Sequence, residues 1–267
     1  MLFILGLLVI LYPFISDWLF SKTMVTKIEN QTLKYRDMTF EEIDKEIVKA
    51  RKYNDALRIG QTKVSSFHEE SASILDEYYE ILNIDNIMCV LDIPKIDVKL
   101  SVYHGIDDTV LMKGIGHIKE TSLPIGGGGT HSYLAGHTGL MSAKLLSDLD
   151  ELQIGDRFYI DVLDERLAYC VDNINVVAEE EFSEVEITEN GDFITLVTCT
   201  PEGINSHRLL VRGARILDMP VFPDNELKET DDFVIMFAIL ALTLICIILL
   251  IVITRKIYLS HIRKNTK

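Results

Sequence analysis

The chain is short of positive charge. In 267 residues, 26 lysines and arginines stand against 41 aspartates and glutamates, a formal net charge of -15. That balance argues against nucleic acid and anionic lipid as partners, because both require a basic face. Cysteine is scarce too. There are four, Cys89, Cys170, Cys199 and Cys246, and no CxxC pair, which disfavours a structural zinc site. Cys89 and Cys170 sit in strand-like runs and read as small buried hydrophobes, a disulfide being the other reading. There is no internal repeat and no low-complexity tract. No basic residue precedes the first apolar run, and no small-x-small site follows it, so a cleaved signal peptide is disfavoured.

What the chain does have is long apolar ends. Residues 2–15 are apolar, and the run resumes at Trp18, Leu19 and Phe20. Residues 233–253 carry no charge, and at 1.5 Å per residue they reach roughly 30 Å, the thickness of a hydrocarbon core. Arg255, Lys256, Arg263, Lys264 and Lys267 follow, while Asp224, Glu226, Glu229, Asp231 and Asp232 precede. The asymmetry puts the C-terminus in the cytoplasm, and two spans put the N-terminus there as well. Lys22 and Lys27, just beyond the first run, point mildly the other way. The expected organisation is an anchor over 1–20, a helical region over 21–86, a β domain over 87–217, an acidic linker over 218–232, a span over 233–253 and a basic tail over 254–267.

Thr39 and Glu42 form a capping box. Phe40, Ile43, Ile47, Ala50, Tyr53 and Leu57 follow at helical spacing as one apolar stripe, with Gly60 as a natural stop. Residues 60–70 read as loop and 71–82 as a second short helix. From residue 87 the period changes. Strand-like runs over 87–93, 98–103, 130–137, 157–163, 166–178, 193–199 and 207–216 are separated by Gly, Pro and Asn turns, with one short helix over 142–152. Seven or eight short strands in this length predict an all-β barrel or sandwich.

Three segments carry residues fit for covalent catalysis. Cys199 ends an apolar strand just before Thr200 and Pro201, at a rim position. A thiol needs a neighbouring base or cation to become a nucleophile at neutral pH. His137 lies between Gly136 and Gly139 on the strand face shared by residues 131, 133 and 135. Arg208 and Arg212 have equal parity on the last strand, and Arg215 follows; a guanidinium there can support an oxyanion. Taken singly, each has a plainer reading: a buried strand cysteine, an exposed turn histidine, a solvated arginine. His131 and His137 share a face but lack a third metal ligand, and His207 faces away from Arg208.

The joint pattern decides. Residues 195–215, TLVTCTPEGINSHRLLVRGAR, resemble the signature of sortases, the membrane-anchored cysteine transpeptidases of Gram-positive bacteria, and are most similar to the pilin-polymerising class C group. Residues 93–105, 116–140 and 143–156 resemble class C segments as well. The resemblance implies a closed eight-stranded sortase-type β-barrel, preceded by a helical segment and flanked by two transmembrane helices. It implies Cys199 as nucleophile, His137 as general acid/base, Arg208 as the oxyanion-side cation and Thr198 as a substrate contact. It implies cleavage of an LPXTG-like sorting signal and transfer to a pilin lysine, with no metal or organic cofactor, at the outer side of the cell membrane. The alternatives are a housekeeping sortase that anchors proteins to peptidoglycan, a plain cysteine peptidase and a non-catalytic surface-binding β domain. The chain departs from the group in three places. Residues 55–75 lack the proline of the usual lid triplet, so either no lid covers the site or other residues such as Phe67 form it; Met141 stands where proline is frequent and Glu202 where tyrosine is frequent.

Overall fold

The computed structural model describes residues 2–61, 74–140, 142–179 and 191–217, with isolated helical positions at 243, 252 and 254–256. Residues Met1–Met219 form one compact unit and Pro220–Lys267 a second. The first is built on eight strands: β1 (Cys89–Ile93), β2 (Val98–His104), β3 (Ile115–His117), β4 (Thr130–Ala135), β5 (Arg157–Val162), β6 (Glu165–Ala178), β7 (Asp192–Thr200) and β8 (His207–Ile216). They close in the order β1-β2-β3-β4-β7-β8-β6-β5, leaving no free edge. The expected all-β barrel is therefore present. Two neighbouring pairs are parallel, β2 with β3 and β4 with β7. β3 has no counterpart among the strands read from the sequence. It is three residues long and contains Gly116, too short for an alternating pattern.

Alternation along β7 and β8 sorts side chains between two faces. Ile194, Leu196, Leu209 and Val211 belong to the core inside the barrel. Residues of the opposite parity, among them Cys199 and Arg208, lie on the outer face.

Two long helices cover the barrel, α1 (Leu2–Asp37) and α2 (Phe40–Gln61). The capping box forms: Thr39 N donates to Glu42 Oε2 at 2.8 Å, and Glu42 N donates to Thr39 Oγ1 at 3.3 Å. Ala50, Tyr53 and Leu57 are buried, and Ile43 and Ile47 pack against the same core. Phe40, the first residue of α2, does not join them; it is 88% exposed. Burial of each large apolar side chain in this set stabilises the docking by about 1.5–3 kcal/mol. Asn54 fixes the register of α2 on the barrel. Its Nδ2 donates to Leu123 O at 3.1 Å, and Leu123 N donates to its Oδ1 at 2.7 Å.

Beyond α2 the chain returns through a single helical turn at 74–76 and a 3₁₀ turn at Tyr78–Glu80 rather than a helix over 71–82. The expected helix over 142–152 is likewise only turns and a 3₁₀ turn at Leu149–Glu151. In both places buried side chains interrupt a helical stripe and tie the backbone to the barrel. Tyr78 is fully buried. Its hydroxyl lies 2.9 Å from His117 Nδ1 and 3.0 Å from His117 O, and accepts from Gly105 N at 3.0 Å. His117 Nε2 faces Ser122 O at 2.9 Å, so it donates, and Nδ1 is the acceptor. Burial holds the His117 pKa down to about 4, and burial also lowers that of His104, whose Nε2 donates to Ile81 O. Burial raises the Tyr78 hydroxyl.

The two flanking transmembrane helices are not supported. Among the described residues no helix is long and apolar enough to cross a membrane. α1 itself runs unbroken from Leu2 to Asp37. From Ser16 onward that helix is bound to the barrel: Ser16 Oγ donates to Ser142 O at 3.2 Å, and Lys144 N donates to Asp17 Oδ1 at 2.7 Å. Apart from positions 243 and 252, the run 233–253 lies outside the described residues, as do the linker 218–232 and Cys246.

Candidate active site

Strand register builds the site. In the antiparallel β7–β8 pair, Cys199 stands directly opposite Arg208. Directly opposed residues in such a pair have Cβ atoms about 4.5–5.5 Å apart. In the parallel β4–β7 pair, the match runs from Thr130 with Asp192 to Ala135 with Val197. Gly136 N donates to Val197 O at 3.0 Å, carrying the pairing one step past the strand end. The next residue, His137, therefore comes level with Cys199. Histidine, cysteine and arginine thus occupy one transverse row on the outer face of the barrel.

The turn holding His137 is tightly constrained. A Cβ on Gly136 would lie 2.7 Å from Ile115 Cδ1 and 2.8 Å from Leu146 Cδ1, so any larger residue would have to push those side chains aside. Leu146 N donates to His137 O at 3.1 Å, and Gly139 N donates to Ser147 Oγ at 3.0 Å. Gly139 has a φ of +72°, a conformation glycine adopts without strain. Thr198 is buried, on the opposite parity to Cys199, and its hydroxyl donates to Gly136 O at 2.8 Å. That bond fastens the histidine turn to the cysteine strand and uses the one proton of the hydroxyl.

The arginines differ in their surroundings. Arg208 Nη1 donates to Asn205 O at 3.1 Å and to His207 O at 3.2 Å, and Nη2 pairs with Glu179 Oε1 at 2.6 Å. Arg212 is opposite Thr195, bonded through two nitrogens to Asp172 at 3.0 and 2.9 Å and stacked 4.5 Å over Phe193. Arg215 lies 5.6 Å over the Tyr169 ring. Of the three, Arg208 shares the row with Cys199. Glu179 was not singled out from the sequence. Continuing the β6–β8 register past Ala178 opposite His207 brings it to the site, and that pairing is not visible in the local sequence.

The remaining candidates are engaged elsewhere. His131 is buried, its Nε2 2.8 Å from Thr195 Oγ1, with its ring against Tyr133 and Phe193. Among the described residues no group of three or more His, Cys, Asp or Glu side chains could hold a metal ion. His207 is exposed and bonded to Ser206 Oγ at 2.8 Å. Cys89 and Cys170 are free thiols. Burial raises the Cys89 pKa well above its usual value, which keeps that thiol protonated and inert. Met141, Phe67 and most of the segment 60–75, where a lid would lie, are outside the described residues.

Known proteins of one family resemble this chain. The sortase-domain family profile matches residues 91–216. Sortase C1 of Streptococcus agalactiae is 40% identical, with a TM-score of 0.65 over 73% of this chain and 100% of that one. A Clostridium perfringens sortase C, solved with the C-terminal cell wall sorting motif, is 39% identical, with a TM-score of 0.62 over 72% of this chain and 99% of that one. Sortase A of Bacillus anthracis is 26% identical over 213 residues, which cover 80% of this chain and 90% of that protein.

Proposed function

The chain belongs to the sortase family of cysteine transpeptidases, and from that premise we propose that it polymerises pilins. It cleaves an LPXTG-like sorting signal between threonine and glycine and transfers the acyl group to a lysine of another subunit. The observation that carries the residue roles is the shared row of His137, Cys199 and Arg208. The likeness to class C structures, one of them solved with a sorting motif, supports the pilin reading over anchoring to peptidoglycan.

The reaction proceeds in two acyl transfers. The Cys199 thiolate attacks the threonine carbonyl, and Arg208 stabilises the oxyanion that develops. The C–N bond breaks as His137 gives its proton to the leaving glycine amine, which leaves a thioester. A neutral lysine amine then attacks that carbonyl. Its proton passes to His137 as the C–N bond forms and the C–S bond breaks, and Cys199 departs as thiolate. Thr198 acts by holding the histidine turn to β7. The uncharged run 233–253 and the basic residues after it support an enzyme held at the outer face of the cell membrane. Protection of the basic tail, but not the barrel, from protease added to intact cells is the expected outcome.

The decisive measurement is the intact mass of the protein after incubation with a sorting-motif peptide. The wild type gains the acyl fragment, and Cys199→Ala gains nothing. A wild-type protein that is never acylated would refute the transpeptidase reading and favour a binding domain.

A further inference from the structure

Transpeptidation has two substrates, and the second arrives at neutral pH as a cation, because a lysine amine has a pKa of about 10.4. The row of His137, Cys199 and Arg208 accounts for the acyl donor and the proton traffic. It contains nothing to recognise an incoming ammonium.

The turn between β7 and β8 supplies a candidate. Ile204 N and Asn205 N both donate to Pro201 O, at 3.1 and 2.9 Å, closing a tight turn. Glu202 sits exposed on that turn, three positions beyond Cys199. Its side chain does not extend into solvent away from the site. A Cβ on Gly139 would lie 2.9 Å from Glu202 Cγ, 3.1 Å from Oε1 and 3.4 Å from Cδ. The carboxylate therefore lies across the turn that carries His137. Arg208 contacts the same β7–β8 turn at Asn205 O, where its charge is matched by Glu179. Among the described residues no cation pairs with Glu202. The mouth of the site is thus polarised, with the guanidinium paired at the β8 end and, on the histidine side, a carboxylate with no cationic partner among the described residues.

An attacking amine must come from the histidine side, because His137 receives its proton. We propose that Glu202 is the acceptor-docking residue, drawing a protonated primary amine to the His137 side of the Cys199 thioester. It acts on capture of the amine: the docked ammonium gives one proton to solvent water before attack, its second passes to His137 as the C–N bond forms, and Glu202 takes no part in forming the thioester. The proposal rests on the transpeptidase reading above and adds to it the charge class of the second substrate.

The test separates the two half-reactions in the full-length enzyme, comparing wild type with Glu202→Gln. The readouts are thioester formation with a sorting peptide, transfer to a lysine-bearing peptide, and transfer to hydroxylamine, a small nucleophile that is uncharged near neutral pH. Glu202→Gln is expected to raise the KM for the lysine peptide about three- to fivefold at low salt, the value of one solvent-exposed charge contact a few ångströms away. Added salt should shrink that difference. Thioester formation and the hydroxylamine rate should stay within about twofold of wild type, because neither step carries the cation that feels the charge. An unchanged lysine KM, or an equal loss for lysine and hydroxylamine, would overturn the proposal, the second outcome marking Glu202 as a structural brace for the turn. Absence of a thioester on the wild-type enzyme would instead overturn the underlying reading, and this proposal with it.

Discussion

Acid should loosen the attachment of the helical region, and His117 is the group through which it acts. The ring is fully buried, donating through Nε2 to Ser122 O and accepting through Nδ1 from Tyr78. Its pKa in the folded state is held down to about 4, chiefly by burial, against an ordinary value of 6.5. Above pH 6.5 both folded and unfolded chains carry a neutral ring, and the group leaves stability independent of pH. Below it the unfolded chain takes up a proton that the folded chain refuses. Stability therefore falls as pH drops from 6.5 towards 4 and levels off beneath. At about 1.36 kcal/mol per pH unit, His117 accounts for roughly 2 kcal/mol of lost stability by pH 5. For a domain of this size that corresponds to a melting temperature lower by about 4–8 °C. His104, also depressed by burial, acts in the same direction. The assay is urea denaturation followed by far-ultraviolet circular dichroism across this pH range, for wild type and His117→Gln. The variant should be weaker at neutral pH, having lost the imidazole's paired bonds, but its stability should depend on pH distinctly less. An undiminished slope in His117→Gln would refute the reasoning.

Other outcomes follow from named contacts. Arg208→Ala should lower transpeptidation by about 10²–10³-fold, the usual effect of removing an oxyanion donor, while Arg212→Ala, which loses the Asp172 pair and the Phe193 stack, should mainly lower stability; steady-state kinetics beside thermal melts distinguishes them. Asn54→Ala leaves both Leu123 N and Leu123 O without their partner, a loss of about 2–4 kcal/mol readable as an earlier denaturation midpoint. Gly136→Ala drives a methyl group into Ile115 and Leu146 and should cost about 1–3 kcal/mol. It should also reduce thioester formation, since any relief shifts the adjacent His137.

The sequence and the structure meet most closely where local pattern suffices. The capping box of Thr39 and Glu42, the buried stripe through Ala50, Tyr53 and Leu57, and seven of the eight strands all follow from short-range spacing. Phe40 was misread because periodicity reports a face of a helix, not how far the neighbouring barrel extends beneath it. The 142–152 segment has helical spacing, yet its backbone is recruited by α1 and by the histidine turn. Parity alone left Arg208 and Arg212 equivalent. The pairing of β7 with β8, together with the Asp172 partner forty residues away, separates them. His117, Tyr78 and Glu179 carry no signal in the linear chain, since each becomes informative only through a partner brought in by barrel closure.

The parallel pairing of β4 with β7 has a consequence for timing. Between these strands the chain makes a long excursion through β5 and β6 before it returns to lie beside β4. Such a pairing forms late, because the entropy of closing so large a loop must be met before any contact repays it. His137 and Cys199 are therefore strangers in the nascent polypeptide and become neighbours only when the barrel shuts. With the roles proposed for them, acyl transfer would then double as a report that folding has finished.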